Sequence, residues 1–480
     1  MDVNCNRASI LRLPEELLDN IVQEACRIDN ETTYDDELSD YWENRRKYWV
    51  ERSRTPASLC LVCRRLNRIA MPYLYAHLVT GDTRAVDIEA MVPSPKFLHR
   101  SCRRNPGLWR LCRSLAVYYD GCTHPPDPLG YVANDLTVWL RETRSFSFSS
   151  SWDDSADAWR VCLQGMSNFK HLEELSLRAT PASGIDVTRL FGALNEMHCS
   201  KLRTLELDGL SSCDDDGGKK RPRLEPGTAS LTTLRLHNFF VKPPLLEELM
   251  RWTPSLEHFR LDTTYHDYCY IPFHTGPWSL ATLQSILAIH STTLRSIDIS
   301  TIDCPGLLGF DMRPFERLEE LRLTHCTMFG TGEIAVVNSQ NIALLLAPRL
   351  RFLHFDLVFD DKLGRKELDS FGVAEQNWLR VFGQMAVEHN CPLREIKIEF
   401  CPRPTFRSVE HCNMCIYPWD RMDALGRELA PEGIQVRYNP PNLSRDDWAG
   451  ALKTRCDCEG HRLCFACSGR REDVTEVPVY

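Results

Sequence analysis

The sequence predicts an α plus α/β chain: a short N-terminal helical module, then an irregular solenoid of strand–helix repeats with parallel strands on the concave side and helices outside. Three observations lead there. Two apolar helical stripes lie within the first 80 residues, a six-residue strand template recurs from residue 172 onward, and segments of helical period separate its copies.

The first stripe is Leu13, Leu17, Leu18, Ile21, Val22 and Ala25, which recur at helical intervals and share one face. Pro14 suits a first helical position, because its fixed φ and missing donor do no harm there, and Glu15 and Glu16 complement the positive end of the helix dipole. The second stripe lies in residues 55–75. Thr55 serves as cap, Pro56 stands in the first turn, Leu59, Val62, Cys63, Leu66, Ile69 and Ala70 share one side, and Pro72 ends the helix. Two short helices this apolar cannot bury each other's stripes completely, so the rest of the chain or a partner must cover them.

The repeat reads LEELSL at 172, LRTLEL at 202, LTTLRL at 231, LEHFRL at 256, LRSIDI at 294, LEELRL at 318, LRFLHF at 350 and LREIKI at 393. One apolar-x-x-apolar-x-apolar hexapeptide means little; this many in near-regular succession are a repeat. CRSLAV at 112 and TRSFSF at 143 are weaker earlier copies. Between copies, Val187, Leu190, Phe191, Leu194 and Met197, or Trp378, Phe382, Met385 and Ala386, keep a helical period. A doubly wound sheet would also alternate strands and helices, but the recurring template favours stacked units.

A length of 480 residues exceeds what one core usually supports unless repeats extend it in one dimension. No apolar run reaches the length of a membrane span and the N-terminus lacks a signal-peptide pattern, so an intracellular chain with reduced thiols is expected for its 21 cysteines. The net charge of −9 disfavours a nucleic-acid footprint and points to protein partners. The expected organisation is a tail over 1–9, the helical module over 10–80 with a charged insertion at 27–54, the solenoid over 81–440 with a mobile loop at 208–230, and a Cys-rich tail over 441–480.

LP-x-E-L-L-x-x-I at 13–21, followed by S-L-x-L-V-C-R-R-L-x-R-I-A at 58–70, resembles an F-box, the helical module that docks onto the small adaptor of SCF-type (cullin–RING) ubiquitin ligases. The resemblance implies an adaptor-facing role for Leu13, Pro14, Leu17, Leu18, Ile21, Leu59, Leu61, Val62, Cys63, Arg64 and Leu66. The insertion between the halves departs from the family pattern, as does Leu66 where many members carry an aromatic residue. The repeats resemble leucine-rich repeats, with units longer than usual and no consistent asparagine after the strand. Together these imply a non-catalytic ligase subunit that holds adaptor and cullin at one end and an unidentified protein target on the solenoid, with neither nucleic acid nor membrane as partner.

Alternation along the strands turns Arg235, Arg260 and Arg322 to the concave face as a ladder able to grip a carboxylate or phosphate of that target. No cofactor is required for such a role. At the C-terminus, Cys456, Cys458, His461, Cys464 and Cys467, with Cys412 and Cys415 upstream, have spacings that suit a structural zinc ion. Free thiols are the competing reading. GTGEIA at 330–335 formally fits a dinucleotide fingerprint but falls at the outer turn of a repeat. KKRPR at 219–223 is compatible with nuclear import, so cytoplasm, nucleus or both are expected. Two rivals stay open: an interaction scaffold with no ligase role, and a zinc-dependent nuclear regulator that works through the tail.

Overall fold

Every copy of the hexapeptide becomes a β-strand. The computed structural model describes residues 10–31, 54–81, 95–119, 128–150, 156–179, 184–197, 201–211, 222–239, 241–262, 278–300, 302, 304–329, 339–357, 371–402 and 417–448. The chain divides into two units, Met1–Ser230 and Leu231–Tyr480. This boundary falls inside the stretch expected as one solenoid, because the expectation followed the template and the template continues across it.

The first unit opens with the helices α1 (Glu15–Glu31), α2 (54–62) and α3 (Arg64–Ala76). Then come β1 (His77–Gly81), β2 (Ser114–Tyr119), β3 (Ser145–Ser150), β4 (Glu174–Ala179), β5 (Ile185–Asp186), β6 (Thr204–Asp208) and β7 (Leu210–Ser211). Helices α4 (Pro95–Arg104), α5 (Pro128–Trp139), α6 (Ala156–Asn168) and α7 (Val187–Glu196) connect them. Strands β1, β2, β3, β4 and β6 form a parallel ladder in that order, and β5 pairs with β7 apart from it.

The second unit holds β8 (Thr233–His237), β9 (His258–Asp262), β10 (Ser296–Ile299), β11 (Glu320–Thr324), β12 (Phe352–Asp356), β13 (Glu395–Glu399) and β14 (Gln435–Tyr438), again parallel and in chain order. Its helices are α8 (Pro243–Trp252), α9 (Leu280–Leu287), α10 (His325–Phe329), α11 (Ser339–Leu345), α12 (Val373–Glu388) and α13 (Pro418–Leu429). Strand order that never reverses, with right-handed crossovers, puts every crossover on one side of a sheet. A doubly wound sheet reverses its order; neither unit does.

Burial follows from that one-sidedness. The template's second and third apolar positions, such as Leu175 and Leu177, or Ile297 and Ile299, are all at 0% exposure beneath the helices, while the residues between them are partly open. The first apolar position is also buried, from Leu256, Leu294, Leu318 and Leu350 at 0% to Leu393 at 6%. The residue after it joins the units. The carbonyls of Arg144, Glu257, Arg295, Glu319 and Arg351 each accept two successive N–H groups from the next repeat. Their side chains also pair across repeats, Arg295 with Glu257 at 3.5 Å and with Glu319 at 3.7 Å.

Several sequence expectations need correcting. The second stripe is not one helix ended by Pro72. Cys63 is extended (φ −162, ψ 166), separates α2 from α3, and caps α3 by accepting the Leu66 N–H on its Sγ at 3.5 Å. Pro72 lies inside α3, on an exposed position where water can satisfy the carbonyl that lost its donor. α1 runs to Glu31, into the expected insertion. The loop at 208–230 is in part ordered structure: Leu224 and Ala229 are buried and Asn195 Nδ2 donates to the Arg223 carbonyl at 2.8 Å.

Strands β1 and β14 lay outside the template for local reasons. β1 follows a helix directly and carries Thr80 at an inward position, and β14 has Gly433 at φ 78 where the first apolar residue would stand.

Candidate functional site

The two apolar stripes at the N-terminus fold against each other and leave a remainder. Leu18, Val22, Cys26, Leu66, Ile69 and Ala70 form a closed core, with Leu13, Leu59, Cys60, Cys63 and Tyr73 partly buried around it. Leu18 and Val22 are four residues apart on α1, as are Leu66 and Ala70 on α3, so each helix offers one row to the other. Polar ties set the register. The Arg65 guanidinium donates to the Leu13 carbonyl at 2.8 Å, Arg68 meets Glu15 at 2.5 Å, and Tyr73 donates to Asp19 at 3.1 Å. Burial, then the Asp19 carboxylate, push the Tyr73 phenol up to about 12. Asn67 Nδ2 reaches back to the Cys60 carbonyl at 2.9 Å and fixes α2 to α3.

One residue before each inward position of α1 the side chain points elsewhere, a rotation of about 100° about the axis. Leu17 is 48% exposed, Ile21 43%, and at the end of α2 Leu61 is 88% and Val62 63% exposed. Ile10, which sequence reasoning missed, is 51% exposed in the short turn before α1. Pro14 and Arg64 are exposed as well. The structure therefore splits the expected docking residues. Leu18 and Leu66 belong to the module's own core, Leu13, Leu59 and Cys63 are half-buried at its edge, and Pro14, Leu17, Ile21, Leu61, Val62 and Arg64 face outward. Leu18 and Leu66 as docking residues are thus corrected: at 0% and 7% exposure a partner cannot reach them.

The second candidate is the uncovered strand face of the second unit. Register places Arg235 beside Arg260, Arg260 beside Asp298, Asp298 beside Arg322, Arg322 beside His354 and His354 beside Lys397. Arg322 is engaged by the sheet itself: one guanidinium nitrogen donates to Asp356 at 2.9 Å and to Glu399 at 2.7 Å, and Nε lies 3.9 Å from Asp298. Burial works against its charge, and Asp298, Asp356 and Glu399 overcome that, so its pKa is raised. Burial likewise opposes the Glu399 carboxylate, but Arg322 and then Lys397 hold it below the usual range. Asp298 goes the other way, raised by burial more than Arg260 and Arg322 lower it.

As a target-gripping residue Arg322 is corrected, because its fork is occupied by three carboxylates, from β10, β12 and β13. Arg260 Nε is 3.4 Å from Asp298 and the side chain is 35% exposed, while Arg235 is exposed. Sequence alone offered no way to foresee this. Asp356 and Glu399 lie 34 and 77 residues from Arg322.

Cys412, Cys415, Cys456, Cys458, His461, Cys464, Cys467 and GTGEIA lie outside the described residues, as does most of KKRPR. Among the described residues no group of three or more His, Cys, Asp or Glu is arranged to hold a metal, and no helix is long and apolar enough to cross a membrane. The described cysteines are thiols and not disulfides, and burial pushes Cys102 up to about 11 and Cys112 to about 12, which suppresses the reactive thiolate.

No protein family matches the chain, and no curated protein does. Among solved structures, the crystal structure of the Rad7 and Elc1 complex in yeast is similar at 12% identity and a TM-score of 0.35, over 80% of this chain and 89% of that one. At that score the likeness carries no argument about fold or function.

Proposed function

We propose that this chain is the substrate-recognition subunit of an SCF-type ubiquitin ligase, with the N-terminal helical module docking the adaptor and the strand–helix repeats holding a protein target. The observation that carries this reading is the division of the apolar residues at the N-terminus. A module with its own closed core still turns Leu17, Ile21, Leu61 and Val62 to solvent, at positions where the F-box resemblance expects adaptor contact. Surface of that kind is costly unless a partner covers it.

In this role the chain has no active site and needs no cofactor. It raises the concentration of the target's lysines beside the ubiquitin-charged enzyme, so linkage alone accelerates transfer. Such a subunit works in cytoplasm, nucleus or both.

The test is recovery of adaptor and cullin by the full chain, compared with a Leu17→Asp, Ile21→Asp variant. Both positions are about half exposed, so the variant is expected to keep its thermal unfolding and lose both partners. Equal recovery by the variant, or none by the wild type, overturns the proposal. Leu18→Asp cannot serve, because a charge at a fully buried position tests folding and not docking.

A further inference from the structure

Between Glu89 and Asp120 the chain has no acidic residue and carries Lys96, Arg100, Arg103, Arg104, Arg110 and Arg113, within a protein of net charge −9. The fold puts three of these arginines on the outer side of α4 and a fourth in the turn tied to that helix. α4 buries Cys102 completely and half-buries Leu98 and His99. At helical spacing the other side presents Phe97, Arg100, Arg103 and Arg104, all exposed, Phe97 by 64%. The following 3-10 turn, Pro106–Arg110, adds Arg110, also exposed.

This surface is rigidly held. Trp109 Nε1 donates to the Cys102 carbonyl at 2.8 Å and so ties the turn to α4. The Trp109 ring stacks on Trp139 of α5 at 5.2 Å, and His99 stacks on Trp139 at 5.0 Å while bonding Asp135 at 2.7 Å. The nearby Asp135 is thereby engaged. Arg100, Arg103, Arg104 and Arg110 form no salt bridge with another described residue, whereas the repeat arginines Arg178, Arg295, Arg322 and Arg351 are paired with carboxylates. The helix dipole favours Arg103 and Arg104 in the last turn of α4, but Arg100 and Arg110 lie beyond its reach.

We propose that this surface docks an acidic segment of a partner protein, an extended run of Asp and Glu with an apolar side chain set against Phe97. Arginine dominates the patch, and its planar fork matches a carboxylate in a way lysine does not. A bilayer is the poorer occupant. The apolar side of α4 is turned into the protein, which leaves one aromatic ring to insert. Duplex nucleic acid would meet the repulsion of a chain with net charge −9 around a small cationic area. This inference uses different residues from the adaptor-docking proposal and stands or falls separately.

The experiment is fluorescence anisotropy of a short labelled peptide of Glu and Asp with one central Leu, titrated with the full chain at low and at physiological salt. Saturable binding that weakens with salt is expected. Arg100→Glu with Arg104→Glu should weaken it at least about tenfold, through the loss and reversal of two charge-assisted contacts. Phe97→Ala should weaken it severalfold without any change of charge. Arg427→Glu, a single reversal at an exposed position of α13, should leave it unchanged. Circular dichroism melts confirm that the variants fold. Absence of saturable binding by the wild type, or equal weakening by Arg427→Glu, overturns the proposal. So does tighter binding to phosphatidylserine vesicles or duplex DNA than to the peptide, lost in the double variant, which would reassign the patch to those ligands.

Discussion

The N-terminal helical module and the repeats of the second unit dispose of apolar and charged side chains in opposite ways. The module buries one row from each helix and leaves Leu17, Ile21, Leu61 and Val62 in water. The repeats bury all three apolar positions of every template copy and settle their charges internally, with Arg322 holding Asp298, Asp356 and Glu399 together. Unfinished apolar burial marks a surface made for a partner. Charge that is already neutralised marks a brace. By that criterion the strand face of the second unit, which looks like a ligand ladder in sequence, is in large part a structural network, and the less conspicuous outer side of α1 and α2 is the surface on which the docking proposal rests.

The largest effects should come from breaking each region at its interior. Arg322→Met leaves three carboxylates without their common partner and is expected to destabilise the second unit by about 3–5 kcal/mol, read as a lower urea midpoint. Adding Asp356→Asn and Glu399→Gln to it should recover much of that loss, because the stranded charges go with the arginine. No recovery would mean that Arg322 acts through packing and not through charge. Leu18→Asp places a charge at 0% exposure and should cost several kcal/mol, seen as early loss of the N-terminal helices by hydrogen exchange. Leu17→Asp, one position away, should change the same readout hardly at all. Equal effects of the two would erase the distinction between core and docking rows.

A smaller effect concerns acidity. His290 is buried with Nε2 2.8 Å from the Met250 carbonyl, and burial lowers its pKa from 6.5; His354 is lowered likewise by burial, then by Lys397 and Arg322. Because the folded values lie below the unfolded one, the unfolded chain binds more protons in that window. Stability contributed by these neutral rings is full above pH 6.5 and is lost as pH falls through their folded values. Urea midpoints should therefore drop between pH 7.5 and 5.5 for the wild type and drop less for His290→Gln. The smallest effect belongs to Arg251→Ala. Its ion pair with Glu247 at 2.7 Å is 58% and 43% exposed and should be worth about 0.3 kcal/mol or less, close to the resolution of the measurement.

Much of the fold was legible because each repeat carries its own signal. Apolar side chains at alternate strand positions must face the same way, so LEELSL and its copies announce strands without reference to any neighbour. The exceptions are equally local: Gly433 and Thr80 interrupt the template where β14 and β1 lie. The helix break at Cys63 was hidden because cysteine is not an ordinary cap, and a continuous apolar period ran across it.

What the sequence by itself determined is periodicity: which segments are strands, which are helices, and which face of each is apolar. That information is short-range, set by bond geometry and spacing. Only the tertiary structure decided which apolar residues find partners within the chain and which charges cancel. Leu17 and Leu18 are adjacent and chemically identical, yet one is 48% exposed and the other 0%, a difference that depends on where α3 lies. Arg322 and Glu399 stand 77 residues apart and meet at 2.7 Å because the parallel register brings β13 two strands from β11, where the long Arg322 side chain reaches the acid two residues beyond its own register position.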